Sequence, residues 1–175
     1  MKHERFTALY RQGKLAVYVD RKLARKFFTH IPVSMIQKET GESCYFERLI
    51  VWLAYLLSPV ALIASLALGF FAFHYLGFIS LIICPLVYVL FSSSSLRNQS
   101  GLPGISLLLI AAIVIHVLSP SRHFLITRFA VVYLFSLWSV RFEYCMAETL
   151  LKAFVFRNRK AYDYLSKYLM IQETD

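Results

Sequence analysis

The sequence predicts an all-α, polytopic integral membrane protein with four transmembrane helices and an amphipathic cytoplasmic segment at each end. Three observations carry that prediction. Hydrophobic residues make up 58% of the 175 residues and charged residues 17%, against about 45–50% and about 25% in soluble domains; the mean hydropathy is +0.58. Between Arg48 and Arg97 lie 48 residues without a single Asp, Glu, Lys or Arg, and His74 is their only histidine. A soluble domain of this size has too little interior to hide such a stretch. Lastly, the basic residues gather at the ends: ten of the 19 Lys and Arg fall in 1–48 and six in 141–175.

The N-terminal region, 1–48, reads as basic and amphipathic. Within it, residues 14–28 carry helical spacing, with Leu15, Val19, Leu23 and Phe27 recurring every fourth position. Lys14, Arg21, Lys22, Arg25 and Lys26 occupy much of the remaining surface. That pattern suits a helix lying on anionic lipid headgroups, with these five side chains as the membrane-surface contacts. It equally suits charges that enforce topology over an apolar stripe packed on the protein's own cytoplasmic helix. The first 30 residues contain no apolar signal-peptide core, so the first span is expected to serve as an uncleaved anchor.

The charge-free run of 48 residues would make a helix about 72 Å long, over twice the hydrocarbon thickness of about 30 Å. It therefore divides into two spans, 49–73 and 77–94, broken where His74, Tyr75 and Gly77 fall together. Pro59 and Pro85 lie inside these spans, which membrane helices tolerate when neighbours satisfy the freed carbonyls. A polar loop with Gly101, Pro103 and Gly104 follows, and Ile105 to Leu118 forms the core of a third span, 104–119. The fourth span is placed at 122–141 rather than at 136–156. The later window holds four charges, each costing about 2.5–3.5 kcal/mol at mid-membrane, whereas the earlier one has Arg122 and Arg141 at its very ends and asks only Arg128 inside it to snorkel.

Lys and Arg set orientation. With four spans the two basic ends share a side, which is the cytoplasm, and the loop carrying Asn98 is cytoplasmic too. Trp52 and Trp138 fall at the same interface, where aromatic belts form. The bacterial inner membrane is the expected location. Cys44 and Cys145 then face a reducing compartment and Cys84 lies within a span, so no disulfide framework is expected.

Residues 142–175 read as an amphipathic continuation of the fourth helix into the cytoplasm, with Glu148 and Lys152 as a favourable i, i+4 pair. Leu150, Leu151, Phe154, Val155 and Phe156 are too apolar for a free tail and require something to pack on, first of all the N-terminal region.

Chemistry-bearing groups are scarce. No Asp or Glu lies in any of the four spans, which removes carboxylate-based intramembrane catalysis and proton relays. Pro120-Ser121-Arg122-His123 resembles the Pro-Ser-Gly-His motif of lipid phosphatases of the phosphatidic-acid phosphatase type 2 superfamily, but Arg122 replaces the glycine and the companion elements are missing. No phosphatase site is therefore read, and no catalytic residue or cofactor is expected. His74, His116 and His123 would share the outer face and are the candidates for a metal or haem site, though no two of them stand at i, i+3 or i, i+4. Ala61, Ser65 and Gly69 form a small-residue line that lets another helix approach closely.

The expectation is thus a non-catalytic protein acting by contact, as an accessory subunit of an envelope or secretion-type assembly or as an immunity-type inhibitor. Its partners would be anionic lipid and a membrane protein or a second copy of itself. Nucleic acid is not among them, because no groove-reading motif accompanies the net charge of +9. Two alternatives stand beside this. One is a small oligomeric channel or transporter subunit lined by Ser58, Ser65, Ser80, Ser106 or Ser136; the other is a histidine-ligated metal or haem protein.

Overall fold

The computed structural model describes residues 3–74, 77–92, 102–118, 123–166 and 169–173, the side chains of 170–173 excepted. The elements are α1 (His3–Arg11), β1 (Leu15–Val19), α2 (Arg21–His30), α3 (Val33–Thr40), α4 (Tyr45–Phe73), α5 (Gly77–Phe91), α6 (Leu102–Leu118), α7 (Phe124–Arg157), α8 (Arg159–Leu165) and β2 (Leu169–Glu173). Helices dominate, as expected. They form two compact units: Met1–Trp52 with Tyr144–Asp175, and Leu53–Glu143. By residue range, α4 and α7 contribute to both.

The unit made from the two chain ends has a conventional core. Phe6, Leu15, Val17, Val19, Phe27, Phe28, Ile36, Leu151, Phe154 and Val155 are buried together. The C-terminal segment thus finds its packing surface on the N-terminal one: Phe156 stacks on Phe6 at 5.1 Å, and Phe154 meets Phe27 at 6.0 Å.

Two sequence expectations change here. Residues 14–28 are not one helix. Leu15–Val19 is a strand, with Leu15, Val17 and Val19 buried and Tyr18 exposed, and the helix starts only at Arg21. Leu15 and Val19 satisfy a period of four and a period of two alike, and the valines and tyrosine favour the extended form. Asp20 fixes the switch: its carboxylate accepts from the backbone N–H of Lys22 at 2.7 Å and of Leu23 at 3.2 Å, capping α2. Nor is 142–175 one helix. It is helical to Arg157, breaks at Asn158, resumes as α8, and ends in β2. Asn158 adopts an extended backbone (φ −122°, ψ 115°) and its side-chain oxygen accepts from Ala161 N–H at 3.0 Å, so the residue that ends α7 caps α8. β2 pairs antiparallel with β1, Val17 opposite Ile171 and Val19 opposite Leu169.

Each of the four apolar segments is a helix. α4, with 29 residues, and α7, with 34, are long and apolar enough to cross a membrane. α5 has 15 residues and α6 has 17, about 22 and 26 Å of helix. The expected break after residue 73 is present, with His74 at φ +50°. Asn98 and Arg97 lie outside the described residues, as do Pro120, Ser121 and Arg122.

Within Leu53–Glu143 sequential helices run antiparallel. α4 and α5 meet at Ser58 with Tyr88 and again at Gly69 with Ser80. α6 and α7 meet at Ser106 with Trp138 and at His116 with Thr127. Here the burial pattern inverts: Ser58, Ser65, Ser136 and Ser139 are buried, while Ile63, Phe71, Ile82, Val89, Leu107 and Val117 are exposed.

Candidate functional site

Two places in the molecule hold the groups that the sequence singles out: the serine-rich interior of the Leu53–Glu143 unit and the basic face of α2 in the other unit.

The interior begins with the small-residue line. Ala61, Ser65 and Gly69 are all buried, and the line is used by helices of the same chain. A Cβ at Gly69 would lie 2.9 Å from Ser80 Oγ and 3.0 Å from the Phe129 ring, so glycine is what lets α4 close on α5 and α7. Ser58 donates to the Ser136 carbonyl at 3.1 Å and lies 2.7 Å from the Tyr88 hydroxyl, joining three helices at one point. Tyr133 donates to the Cys84 carbonyl at 3.1 Å, and Trp138 donates its indole N–H to Ser106 at 3.0 Å. The tryptophan expected in an interfacial belt therefore also holds α6 to α7. Ser65, Ser80, Ser106 and Ser136 donate to the carbonyls of Leu62, Gly77, Leu102 and Tyr133. Hydroxyls bonded to helix carbonyls act as packing groups.

At the end of this unit Arg141 and Glu143 are buried, and the Arg141 guanidinium lies 5.0 Å over the Phe91 ring. Arg141 is the last residue of the span expected at 122–141, and Glu143 follows it. Arg128 is exposed and rests 4.7 Å over Phe124, its stem beside an aromatic ring.

The three histidines do not come together as a ligand set: among the described residues no group of three His, Cys, Asp or Glu is placed to hold a metal ion. His116 Nδ1 lies 2.8 Å from Thr127 Oγ1, and its ring tilts against Phe124. His123 is exposed. His74 borders an open groove of about 450 Å³ walled by Phe70, Phe71 and Phe78.

On the basic face the five predicted headgroup contacts separate. Arg21 is engaged internally, its Nε 2.7 Å from Glu148 Oε2, while Lys152 holds the other oxygen at 2.7 Å. Burial alone would raise the Glu148 pKa, but hydrogen bonds from Lys152 and Arg21 outweigh it and hold the carboxyl below its ordinary range. Arg25 donates to the Tyr144 hydroxyl at 3.0 Å, and its guanidinium lies 5.2 Å over that ring. Lys14, Lys22 and Lys26 are exposed. The apolar stripe of this segment, Leu15, Val19 and Phe27, is buried in the protein's own core rather than turned outward. Of the two sequence readings for residues 14–28, packing on a helix of the same chain is the one observed.

Asn158 was missed as a junction. Its amide donates to the Thr40 carbonyl at 3.1 Å and to Glu42 at 2.9 Å, and neighbouring Arg157 pairs with Glu42 at 2.6 Å and Glu47 at 3.1 Å. The one advance signal was the isolated asparagine in an otherwise helix-forming run.

No family model matches the chain, and no curated protein or solved structure matches it.

Proposed function

We propose that this chain is a non-catalytic multi-pass membrane protein that crosses the bilayer four times, keeps both ends in the cytoplasm, and works by protein contact. The supporting observation is the inverted Leu53–Glu143 unit, in which serines and glycine are buried and large aliphatic side chains are exposed, Ile82 by 72%. Water would penalise that surface heavily, whereas acyl chains match it. α4 and α7 span the bilayer outright. α5 and α6 fall about 8 and 4 Å short of its roughly 30 Å core, a mismatch that local thinning accommodates. The antiparallel order of sequential helices suits four crossings.

In this reading the unit formed by the chain ends is the cytoplasmic contact domain. Lys14, Lys22 and Lys26 face anionic headgroups there, and the inner membrane of a bacterium is the proposed setting. The small-residue line is spent inside the chain, which leaves the lipid-facing aliphatic surfaces and the cytoplasmic unit to meet a partner, either an envelope assembly or the target of an inhibitor. The channel alternative loses support because Ser58, Ser65 and Ser136 are buried and all five of its serines donate to helix carbonyls.

Two measurements on native membranes test the proposal. The chain is expected to resist alkaline carbonate extraction and to retain a stoichiometric foreign protein after gentle-detergent capture. Release by carbonate would overturn the membrane reading. A homo-oligomer carrying no other protein would overturn the partner reading in favour of a channel.

A further inference from the structure

We infer that the cytoplasmic unit carries a specific anionic-phospholipid site between α2 and α8, beyond the diffuse attraction of a basic surface. This inference rests on the membrane reading. The site is a groove of about 100 Å³ lined by Leu23, Lys26, Phe27, Ile31, Tyr164 and Leu165. Its walls are aliphatic and aromatic, and among the described residues Lys26 is its one cation and no carboxylate lines it. An apolar slot lined by an exposed lysine is complementary to the first few methylenes of an acyl chain, at the glycerol end that carries the phosphate.

The second observation is where the groove sits. The carbonyl of Ile31, one of its lining residues, accepts a hydrogen bond from Arg48 Nη1 at 2.9 Å. Arg48 belongs to the opening of α4, where Tyr45, Phe46 and Leu49 are the exposed residues and Trp52 follows one turn on. Aromatic and aliphatic side chains exposed next to an arginine mark the headgroup layer of a membrane protein. One hydrogen bond therefore ties the groove to the turn that lies at headgroup depth, within reach of lipid entering from the bilayer.

The remaining cations of α2 sharpen the choice of Lys26. Arg21 is committed to Glu148 and Arg25 to Tyr144, and Lys22, though exposed, does not line the groove. A merely electrostatic surface would use Lys22 and Lys26 alike. A built site distinguishes them.

The test uses the full-length chain reconstituted in vesicles of equimolar phosphatidylglycerol and phosphatidylcholine, with retained lipid counted by native mass spectrometry. The wild-type chain is expected to retain one phosphatidylglycerol over phosphatidylcholine by about five-fold, the usual weight of one lysine at an anionic surface. Lys26→Gln should abolish that preference and Lys22→Gln should leave it. Leu23→Trp, which fills the groove, should reduce retention of both lipids; if circular dichroism shows that it fails to fold, Lys26→Gln, at an exposed position, still decides the question. Equal retention of the two lipids by the wild type, or equal losses in Lys22→Gln and Lys26→Gln, would overturn the site while leaving the membrane reading intact. Release of the chain by alkaline carbonate would overturn both.

Discussion

The two units of this protein bury opposite kinds of residue. In Met1–Trp52 with Tyr144–Asp175, the largest fully buried side chains are Phe6, Phe27, Phe28 and Phe154, and Lys14, Lys22, Lys26 and Lys38 are exposed. Among the described residues of Leu53–Glu143, the fully buried side chains are serines, and leucine, isoleucine, valine and phenylalanine are exposed. The same chemistry explains both. In the membrane reading, each unit turns toward its surroundings what those surroundings solvate, and holds together by whatever contact then gains most. In the first that gain is the removal of aromatic area from water. In the second, on that reading, it is close backbone approach and hydroxyl-to-carbonyl bonding, because aliphatic side chains gain little by leaving lipid. The comparison teaches that "core" has no fixed composition within this chain.

The sharpest way to break the comparison is a pair of substitutions with opposite expectations. Phe154→Ala, at a fully buried position, should cost about 3–5 kcal/mol of stability by removing a large ring from a packed interior. Chemical denaturation followed by circular dichroism reads it, and a loss below about 1 kcal/mol would mean that the core is not the one described. Ile82→Arg replaces an exposed side chain, a change that is nearly neutral in water. In the membrane reading it should cost about 2.5–3.5 kcal/mol of insertion, seen as a reduced membrane-integrated fraction. Normal integration of this variant would show that the surface of the second unit meets water.

Smaller effects sharpen the contrast. Gly69→Leu places a side chain against Ser80 and Phe129, and should cost about 1–3 kcal/mol through overpacking, read as a lower melting temperature in detergent. Alanine, one carbon larger than glycine, should cost less than leucine there. Acidification should act on the first unit. The folded-state pKa of Glu148 is depressed by its two cations, so its contribution is fully present above the unfolded carboxylate pKa of about 4.3 and is lost as pH falls through the folded value. About 1 kcal/mol is expected after allowing for partial exposure. Glu148→Gln should remove that much at pH 7 and flatten the acid limb of the stability profile; an unchanged acid limb would show that the pair with Arg21 and Lys152 contributes nothing.

The apolar segments were legible because hydrophobicity over 15 or more residues leaves few options. The break at 74–77 followed from polar ring, aromatic and glycine falling together, and Ala61, Ser65 and Gly69 followed from spacing alone. Two kinds of feature were not legible. Leu15–Val19 carries both strand and helix periodicity, and the choice between them depends on β2, a segment 150 residues away that itself reads as helical. Asn158 lies inside the segment read as one continuous helix, and its role as a donor to Thr40 and Glu42 exists only because the end of α3 and the end of α7 are brought together.

The candidate lipid contacts divide the same way. Lys14, Arg21, Lys22, Arg25 and Lys26 are equivalent in sequence, and folding makes them unequal by placing Glu148 beside Arg21 and Tyr144 beside Arg25.

By itself, then, the sequence determined which segments are apolar helices, where they break, and that charge belongs to the two chain ends, because those properties sum over many neighbouring residues. Only the tertiary structure decided which lysines stay exposed, which glycine admits another helix, and that the first and last strands pair. Those outcomes depend on single contacts between residues far apart in the chain, and no local sum contains them.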